Sequence, residues 1–297
     1  ILLVGSDRRS DETEAGRSDS SMIATINMKT KELKLTSLMR DMYVDIPGHG
    51  RNKLNSAYSF GGVDLLYKTI AQNFDIKIDK YCVVDFSTFE KVINEVGGIE
   101  IDLEEKEADY LNTTNYISKK KYRNVKAGKH ILNGNQALGY SRIRYVSNSR
   151  YGDGEFGRTG RQRAVLEATY KKIIRQNPMK ILDIGFNALD DVSTDMNASY
   201  IKGLVTSVVQ FGVPKVQQMR IPIEGTYMQG RAQSGMFVFF INFDANKAAM
   251  EHFIFSKGKE EDFASKFGGY QNIETYGYPA KPDSEDASES SPGSYKR

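Results

Sequence analysis

Apolar positions along this chain follow two spacings, one typical of strands and one typical of helices. Short runs that are apolar, or that alternate with polar residues, predict strands at residues 1–4, 22–27, 33–37, 42–46, 81–84, 99–103, 216–221 and 236–241. Apolar residues three and four apart predict helices at residues 63–74, 161–176, 178–189 and 244–255, with further helices starting near Ser87 and Asn197. Residues 133–140 are predicted to form a helical turn or two, and residues 104–132 to form an irregular lid or edge excursion.

The order of these elements indicates the fold class. Strands alternate with helices, which favours an α/β sandwich over an all-α or all-β fold. Residues 1–270 are predicted to form a single domain. After Tyr278 the sequence is rich in Ser, Pro and acidic residues, and such a segment cannot bury enough apolar surface to order itself. Residues 271–297 are therefore predicted to be a flexible C-terminal tail.

Composition narrows the functional classes. The chain has 297 residues, of which 41 are basic and 38 acidic, so its net charge is only +3. Such a balance does not indicate a general nucleic-acid-binding surface. The single cysteine, Cys82, excludes a disulfide framework within the chain and is interpreted as a small buried hydrophobe. No apolar run reaches the ~18 residues of a membrane span, but the chain opens on a strand without an initiator Met, so we expect that a preceding segment, an anchor included, is missing here.

Residues 142–163, with the sequence RIRYVSNSRYGDGEFGRTGRQR, concentrate candidate chemistry. The stretch contains six arginines and no lysine, and arginine is favoured over lysine where a planar fork must hold oxyanions. Its glycines leave room for backbone to approach a ligand. We interpret it as one wall of a phosphate or pyrophosphate site. A solvated helix start with salt bridges fits these residues equally well.

Two carboxylates and three basic residues form a second candidate group. Asp7 and Asp19 flank a polar loop between two predicted strands, and paired carboxylates near arginines are suited to Mg²⁺. An Asx-turn and a strand-end cap would explain them as well. Arg40 follows a strand, where α/β sheets bind ligands, although it and Arg17 could form structural ion pairs. Lys53 precedes a helix whose first N–H groups would suit an anion, or it is an ordinary helix-entry residue.

Other catalytic classes lack their motifs. The sequence has no HExxH or other zinc-binding spacing, no GxSxG elbow and no GxxxxGK[ST] phosphate loop. Metalloprotease, serine hydrolase and P-loop kinase functions are therefore disfavoured.

Six blocks of sequence, in order, resemble the LytR-CpsA-Psr family. Between Gly5 and about Gln162 they are GSDRR…GRSDS, TSLMRDMYVDIPG, KLNSAYSFGG, NEVGGIEIDL, LNGNQALGYSRIRY and GEFGRTGRQR. One block alone would carry little weight, because short motifs match by chance, but six in order are specific. The C-terminal third resembles the family only in its general alternation of helices and strands.

The resemblance implies a membrane-anchored enzyme on the extracellular face of the cell membrane, mostly in Gram-positive bacteria. Such enzymes transfer anionic glycopolymers, wall teichoic acid or capsule, from a polyprenyl-pyrophosphate carrier to peptidoglycan, and they have no nucleic-acid partner. The implied fold is a three-layer α/β/α sandwich around a central mixed β-sheet. An apolar tunnel would bind the prenyl tail, and a polar mouth would bind the pyrophosphate.

The resemblance also implies individual roles. Asp7 and Asp19 match the Mg²⁺ ligands. The residues that match pyrophosphate contacts are Arg17, Arg40, Gln136, Arg142, Arg144 and Arg158, and Lys53 joins them from the sequence pattern. Arg40, Arg144 and Arg158 are expected to be catalytic, together with one acidic residue. The family usually has Asp three residues before the last arginine, whereas this chain has Glu155 there and Asp153 nearby, so either acid could fill that role.

Other functions remain open at this point. A pyrophosphatase, or a module that binds lipid-linked glycans without chemistry, would need a similar site. A DNA-binding regulator is disfavoured, because no helix-turn-helix signature stands beside a basic recognition helix.

Overall fold

The computed structural model describes residues 1–6, 18–27, 29–189, 191–211, 215–232, 235–255 and 261–282. Its strands are β1 (Leu2–Ser6), β2 (Ser18–Asn27), β3 (Glu32–Leu38), β4 (Tyr43–Ile46), β5 (Gly50–Lys53), β6 (Tyr81–Val84), β7 (Ile99–Leu103), β8 (Gly128–Leu132), β9 (Ser193–Thr194), β10 (Lys215–Ile221), β11 (Tyr227–Arg231), β12 (Phe237–Ile241) and β13 (Ala280–Pro282). Its α-helices are α1 (Leu54–Phe74), α2 (Phe86–Glu95), α3 (Glu105–Thr113), α4 (Gly134–Arg142), α5 (Gly154–Ile173), α6 (Pro178–Leu189), α7 (Ala198–Phe211), α8 (Phe243–Phe255) and α9 (Phe263–Lys266).

A mixed sheet lies at the centre of the fold. In the part of the chain that the structure describes, its strand order is β10-β3-β2-β1-β6-β9. The β1–β6 and β10–β3 pairs are parallel, while β1–β2, β2–β3 and β6–β9 are antiparallel. The strands β1, β3, β6 and β10 therefore run in one direction and end at the same edge of the sheet. In α/β sheets that edge is where ligands bind.

Helices cover both faces of this sheet. On one face, Leu2 and Ile23 of the sheet pack with Leu66 and Ile70 of α1 and with Met250 of α8 in one apolar core. On the other face, a second core joins α2, α4 and α5 to the β7–β8 hairpin. The predicted three-layer α/β/α sandwich around a mixed sheet is confirmed. In the described ranges every helix is too short or too polar to span a bilayer.

The segment 271–282, which the sequence places in the tail, belongs to the packed part of the chain. Strand β13 pairs with β11, which also pairs with β12. Tyr276 and Tyr278 pack on Tyr43, with ring centroids 5.9 and 6.5 Å from its ring. Aromatic residues thus hold this segment, although its Pro and polar content suggests a linker. Residues 283–297 lie outside the described residues.

Several helices begin earlier than their apolar pattern predicts. Helix α1 starts at Leu54 rather than at residue 63. Its first turns were not predicted because Gly61 and Gly62, which have non-helical backbone angles, separate them from the apolar pattern that follows. Helix α2 starts at Phe86, close to the predicted start near Ser87, and is capped by Asp85, whose carboxylate accepts from Thr88 N at 2.8 Å. Helix α5 starts at Gly154 rather than at residue 161.

Residues 104–132 are also more regular than predicted. They contain α3, a 3₁₀ turn at Lys120–Tyr122 and β8, which pairs with β7. This segment is rich in charged residues and has too few apolar residues to show a helical or strand period. Those few, among them Leu111 and Ile117, are nevertheless enough to anchor it in the core.

Candidate functional site

A cavity of about 820 Å³ lies between the central sheet and helices α2, α4 and α5. Its inner walls are apolar. They include Leu3 and Met22 from the sheet, Phe86 and Phe89 from α2, Leu138 from α4, and Val165 and Leu166 from α5. Its mouth is polar and includes Asp19, Arg40, Arg142, Arg144 and Arg158. A site of this kind is suited to a ligand with a long apolar part and an anionic head.

Three arginines converge on one carboxylate at the mouth. Glu155 is 2.8 Å from Arg144 (Oε1 to Nη2), 2.5 Å from Arg158 (Oε2 to Nη2) and 3.4 Å from Arg40 (Oε1 to Nη2). Asp19 Oδ1 accepts a hydrogen bond from Arg40 Nη1 at 2.8 Å and lies 3.8 Å from Arg158 Nη1. Five of the predicted site residues therefore meet at one point.

The fold explains this convergence. Arg40 follows the carboxyl end of β3, and Asp19 opens the neighbouring strand β2. Arg144 lies just after α4, whose C-cap is Ile143. Glu155 and Arg158 are three residues apart on α5, so they lie on the same side of its first turns. Each side chain comes from a separate segment, and only the packing of α4 and α5 against the sheet brings them together.

The charges and donors at the mouth favour an anion. Four basic side chains (Arg40, Arg144, Arg158 and Lys53) form ion pairs with three carboxylates (Asp19, Asp41 and Glu155), which leaves one net positive charge. The buried Nε atom of Arg158 has no hydrogen-bond acceptor among the described residues, and that of Arg40 faces Asp41 Oδ2 at 3.6 Å, which is too long for a hydrogen bond. A buried donor without a partner is costly, so an oxygen-rich anion would satisfy atoms that the protein leaves unpaired.

Burial shifts the titration of this cluster. It raises the pKa of Glu155, although Arg158 and Arg40 act in the opposite direction. It also lowers the pKa of Arg158, against the effect of Glu155. Both shifts have the same cause, which is the loss of water around charged groups. The charges at the mouth are therefore held in a poorly solvated environment, where electrostatic interactions with a ligand are strong.

Two glycines of α5, Gly157 and Gly160, serve packing rather than ligand approach. A Cβ at Gly157 would lie 2.7 Å from the carbonyl oxygen of Gly152, and one at Gly160 would lie 2.5 Å from Cβ of Tyr151. The chain itself fills the space that these glycines leave. For these two positions the hypothesis that glycine admits a ligand is wrong, while Arg142, Arg144 and Arg158 of the same stretch do line the site.

Lys53 and Gln136 have other partners. Lys53 Nζ pairs with Asp41 at 2.7 Å, so it reaches the site only through that carboxylate. The first N–H groups of α1, at residues 54 and 55, donate to the carbonyls of Met42 and Arg40 rather than to an anion. Gln136 is buried, forms a capping box with Asn133 and donates to the Tyr122 carbonyl at 2.9 Å. Its geometry indicates a structural role instead of a pyrophosphate contact.

The remaining predicted residues fall into three groups. Arg142 lines the cavity, with its guanidinium carbon 5.0 Å from the centroid of the Phe86 ring. Asp153 is exposed where α5 begins and forms no ion pair with another described residue, so of these two acids Glu155 is the one that contacts the arginines. Asp7 and Arg17 lie outside the described residues.

Three further residues line the mouth although the sequence pattern gave no sign of them. They are Asn115 and Tyr116, which follow α3, and Tyr145, which is 72% exposed beside Arg144. The first two fall in the segment predicted to be irregular. An exposed aromatic residue directly after the RxR motif is the signal that could have indicated Tyr145.

The carboxylates at the mouth match part of a metal site. Among the residues that the structure describes, no three His, Cys, Asp or Glu side chains gather closely enough to hold a metal ion by themselves. The Asp19 carboxylate nevertheless lies at the mouth beside the arginines. Carboxylate oxygen is the donor that Mg²⁺ prefers, and one or two carboxylates with ligand phosphates are enough to bind it. Asp19 therefore fits one position of such a site.

Comparison with known proteins agrees with this geometry. The chain is 32% identical over 260 residues to the "Regulatory protein MsrR" of Staphylococcus aureus, a match that covers 86% of this chain and 73% of that protein. It is 35% identical over 224 residues to the "Polyisoprenyl-teichoic acid--peptidoglycan teichoic acid transferase TagU" of Enterococcus faecalis, with 74% and 69% covered.

Solved structures show the same fold. Bacillus subtilis YwtF (TagT), solved with bound octaprenyl pyrophosphate lipid, superposes with a TM-score of 0.63 and 26% identity, over 85% of this chain and 88% of that one. Residues 1–251 match the sequence model of the LytR_cpsA_psr family. Because that match includes most of the chain and every site residue described above, the chain belongs to the LytR_cpsA_psr family.

Proposed function

We propose that this protein is a phosphotransferase that attaches an anionic glycopolymer, such as wall teichoic acid or capsular polysaccharide, to peptidoglycan, from a polyprenyl-pyrophosphate carrier. One observation carries the proposal: Arg40, Arg144 and Arg158 converge at the mouth of an apolar cavity of about 820 Å³. The name of TagU describes this type of transfer, and the TagT structure holds a polyprenyl pyrophosphate lipid. Both support the proposal.

The two parts of the cavity match the two parts of such a substrate. The prenyl chain would bury its apolar surface against Leu3, Phe89 and Leu166, which are only partly buried by the protein itself. The pyrophosphate would lie between the arginines, whose planar forks bind phosphate oxygens bidentately. The glycan would leave the mouth past the exposed ring of Tyr145.

The chemistry is a single phosphoryl transfer. The oxygen of an acceptor hydroxyl on peptidoglycan attacks the phosphorus nearer the glycan. As this P–O bond forms, the bond from that phosphorus to the bridging oxygen breaks, and polyprenyl phosphate leaves with the electron pair. Arg40, Arg144 and Arg158 offset the negative charge that develops on the phosphate oxygens, which is the main contribution a protein makes to such a reaction.

Glu155 is the proton acceptor in this proposal. Its carboxylate lies within the arginine cluster, and burial raises its pKa, which makes it a stronger base than an exposed glutamate. The proton of the attacking hydroxyl passes to this carboxylate. Asp153, exposed at the start of α5, has no such contact with the cluster.

We assign Asp19, together with Asp7, to hold Mg²⁺. When bound, the ion would supply further neutralisation of the diphosphate charge. The carboxylate of Asp19 fits this role by its place at the mouth. The assignment of Asp7 depends only on its place in the sequence block GSDRR, because Asp7 lies outside the described residues. Because the carrier lipid is membrane-bound and peptidoglycan lies outside the cell, we place the reaction at the outer face of the cell membrane.

A direct assay tests the proposal. Purified protein is incubated with Mg²⁺, peptidoglycan fragments and a polyprenyl-pyrophosphate glycan labelled in its sugar. We expect label in peptidoglycan and an equal amount of polyprenyl phosphate. Arg40→Ala and Arg144→Ala should each lower transfer roughly 10²–10³-fold, as expected for loss of a transition-state donor, while the proteins stay folded. Chelation of Mg²⁺ should lower transfer in the same direction.

Arg150→Gln is the matched control, because Arg150 is paired with Asp102 at 2.9 Å and does not line the cavity. It should transfer at the wild-type rate. Full activity of Arg40→Ala or Arg144→Ala would remove this mechanism. Release of phosphorylated glycan without any acceptor would indicate a pyrophosphatase, and lipid binding without product would indicate a binding module. A salt-dependent gel shift with DNA would revive the regulator hypothesis.

A further inference from the structure

Arg161 holds the loop that carries Arg144. It lies three residues after Arg158 on α5, but it points away from the cavity and is fully buried. Its Nη1 donates to the Ile143 carbonyl at 3.3 Å, and its Nη2 donates to the Val146 carbonyl at 2.6 Å. These two carbonyls stand on either side of Arg144. One rigid guanidinium therefore fixes both ends of the short segment from which Arg144 projects.

Glu107 anchors this guanidinium to a second helix. Arg161 Nε donates to Glu107 Oε1 at 2.7 Å, and both side chains are fully buried. Glu107 is itself held, because Oε1 accepts from Asn148 Nδ2 at 2.8 Å and Oε2 accepts from the Glu104 N–H at 3.0 Å. The position of the loop is thus tied to α3 as well as to α5.

The same network reaches the start of α5. Asn148 and Gly152 exchange two backbone hydrogen bonds, each of 2.8 Å, which close the turn that leads into the helix. A Cβ at Gly157 would lie 3.0 Å from Arg161 Nη1, so the guanidinium packs directly against the helix turn that carries Glu155 and Arg158. The buried pair therefore touches two of the segments whose side chains meet at the cavity mouth, namely the loop of Arg144 and the start of α5.

A contribution to stability alone does not account for this arrangement. Removing two charges from water offsets most of the attraction between them, and apolar pairs of similar volume often replace buried ion pairs without loss of stability. What an apolar pair cannot do is donate to the two carbonyls around Arg144. We propose that Arg161 is a positioning residue, which sets the distance of Arg144 from Glu155 and Arg158 through the Ile143 and Val146 carbonyls.

The inference rests on the proposed function only for the role of Arg144 as a contact of the diphosphate. Binding of inorganic pyrophosphate, measured by calorimetry, is therefore the first readout, since it needs no transferase activity. Arg161→Lys keeps the charge, but its single ammonium cannot span both carbonyls. We expect R161K to weaken pyrophosphate binding about tenfold and to lower kcat for transfer by a similar factor.

A double-mutant cycle separates positioning from a general structural effect. In an Arg144→Ala background, R161K should change pyrophosphate binding by less than about twofold, because the side chain that Arg161 positions is already gone. If R161K weakens binding equally in both backgrounds, it acts on the fold as a whole and the proposal is overturned. Absence of transfer by the wild-type protein would contradict the proposed function. The double-mutant cycle would still test the role of Arg161, because it measures pyrophosphate binding.

A second variant protects the test against misfolding. Arg161→Met combined with Glu107→Leu removes both charges together, so we expect a smaller loss of stability than from Arg161→Met alone, which would leave the Glu107 carboxylate buried without its charged partner. Pyrophosphate binding should still be weakened about as much as in R161K, since the carbonyl contacts are lost. Wild-type binding in either variant would overturn the proposal. Arg150→Gln, which removes an exposed ion pair on the same loop, should bind pyrophosphate as the wild-type protein does.

Discussion

The two faces of the central sheet are packed in different ways. On the face covered by α1 and α8, apolar side chains are sealed, and Leu2, Leu66 and Ile70 are all 0% exposed. On the face covered by α2, α4 and α5, Leu3 of the sheet and Phe89 and Leu166 of the helices remain only partly buried and line the cavity. The same strands, with the same alternation of apolar residues, contribute to both faces.

This difference identifies the ligand side of the sheet. Protein interiors are normally packed as densely as organic crystals, with few voids larger than a water molecule. An apolar cavity of about 820 Å³ is therefore a binding site rather than a packing fault. Apolar residues that are half-buried inside a fold, next to residues that are fully buried, mark the place where an apolar ligand completes the core.

The largest expected effect is a loss of stability that differs between the two faces of the sheet. Leu66→Ala removes a fully buried side chain from the sealed face, so we expect the free energy of unfolding to fall by ~2–5 kcal/mol. Leu166→Ala acts on the cavity face, where the side chain is already half-exposed, and should cost less than about 1 kcal/mol. Urea denaturation of both variants measures the difference. Equal losses would mean that both faces are packed alike.

A smaller effect is expected when the cavity is filled. Leu166→Trp places a larger ring in the apolar wall, so affinity for a long-chain polyprenyl diphosphate should fall at least tenfold, or about 1.4 kcal/mol. Affinity for inorganic pyrophosphate should not change, because the arginines stay in place. Calorimetric titration with long, short and no prenyl chain checks this. An equal loss for all three ligands would show that Trp disturbs the mouth rather than the wall.

The sequence predicts the strands of the sheet well, but it does not predict which face of the sheet binds the ligand. Period-2 and helical spacing predicted most strands and helices, since those patterns depend on local burial. The first turns of α5 were missed, because Gly154, Gly157 and Gly160 lower helix propensity. Gly157 and Gly160 are placed there by close packing against Gly152 and Tyr151, which no local pattern contains.

For the site as well, local motifs indicate single residues, whereas their arrangement in space depends on the fold. Arg40, Arg144 and Arg158 were chosen from motifs, and only the packing of three segments shows that they meet at Glu155. Gln136 does not line the cavity, and its place in a capping box was visible in the sequence, since Asn133 and Gln136 have the spacing of that motif. The choice between Glu155 and Asp153 depended on where α5 begins. Contacts between distant segments, such as Arg161 with Glu107, leave no trace in the sequence pattern.

The last prediction concerns the cavity side of β6, at Cys82, which alternates with the sealed Val83 and lies on the same face of the strand as cavity-lining Val84. Burial raises the pKa of its thiol to about 11 from 9.0. Because the thiolate is the reactive form, labelling at pH 8 should be about a hundredfold slower in the native protein than in urea. The labelling rate should rise about tenfold per pH unit up to pH ~11. A plateau above pH 9 would show that access to the thiol limits the reaction, which would mean that this part of the ligand face is as tightly sealed as the opposite one.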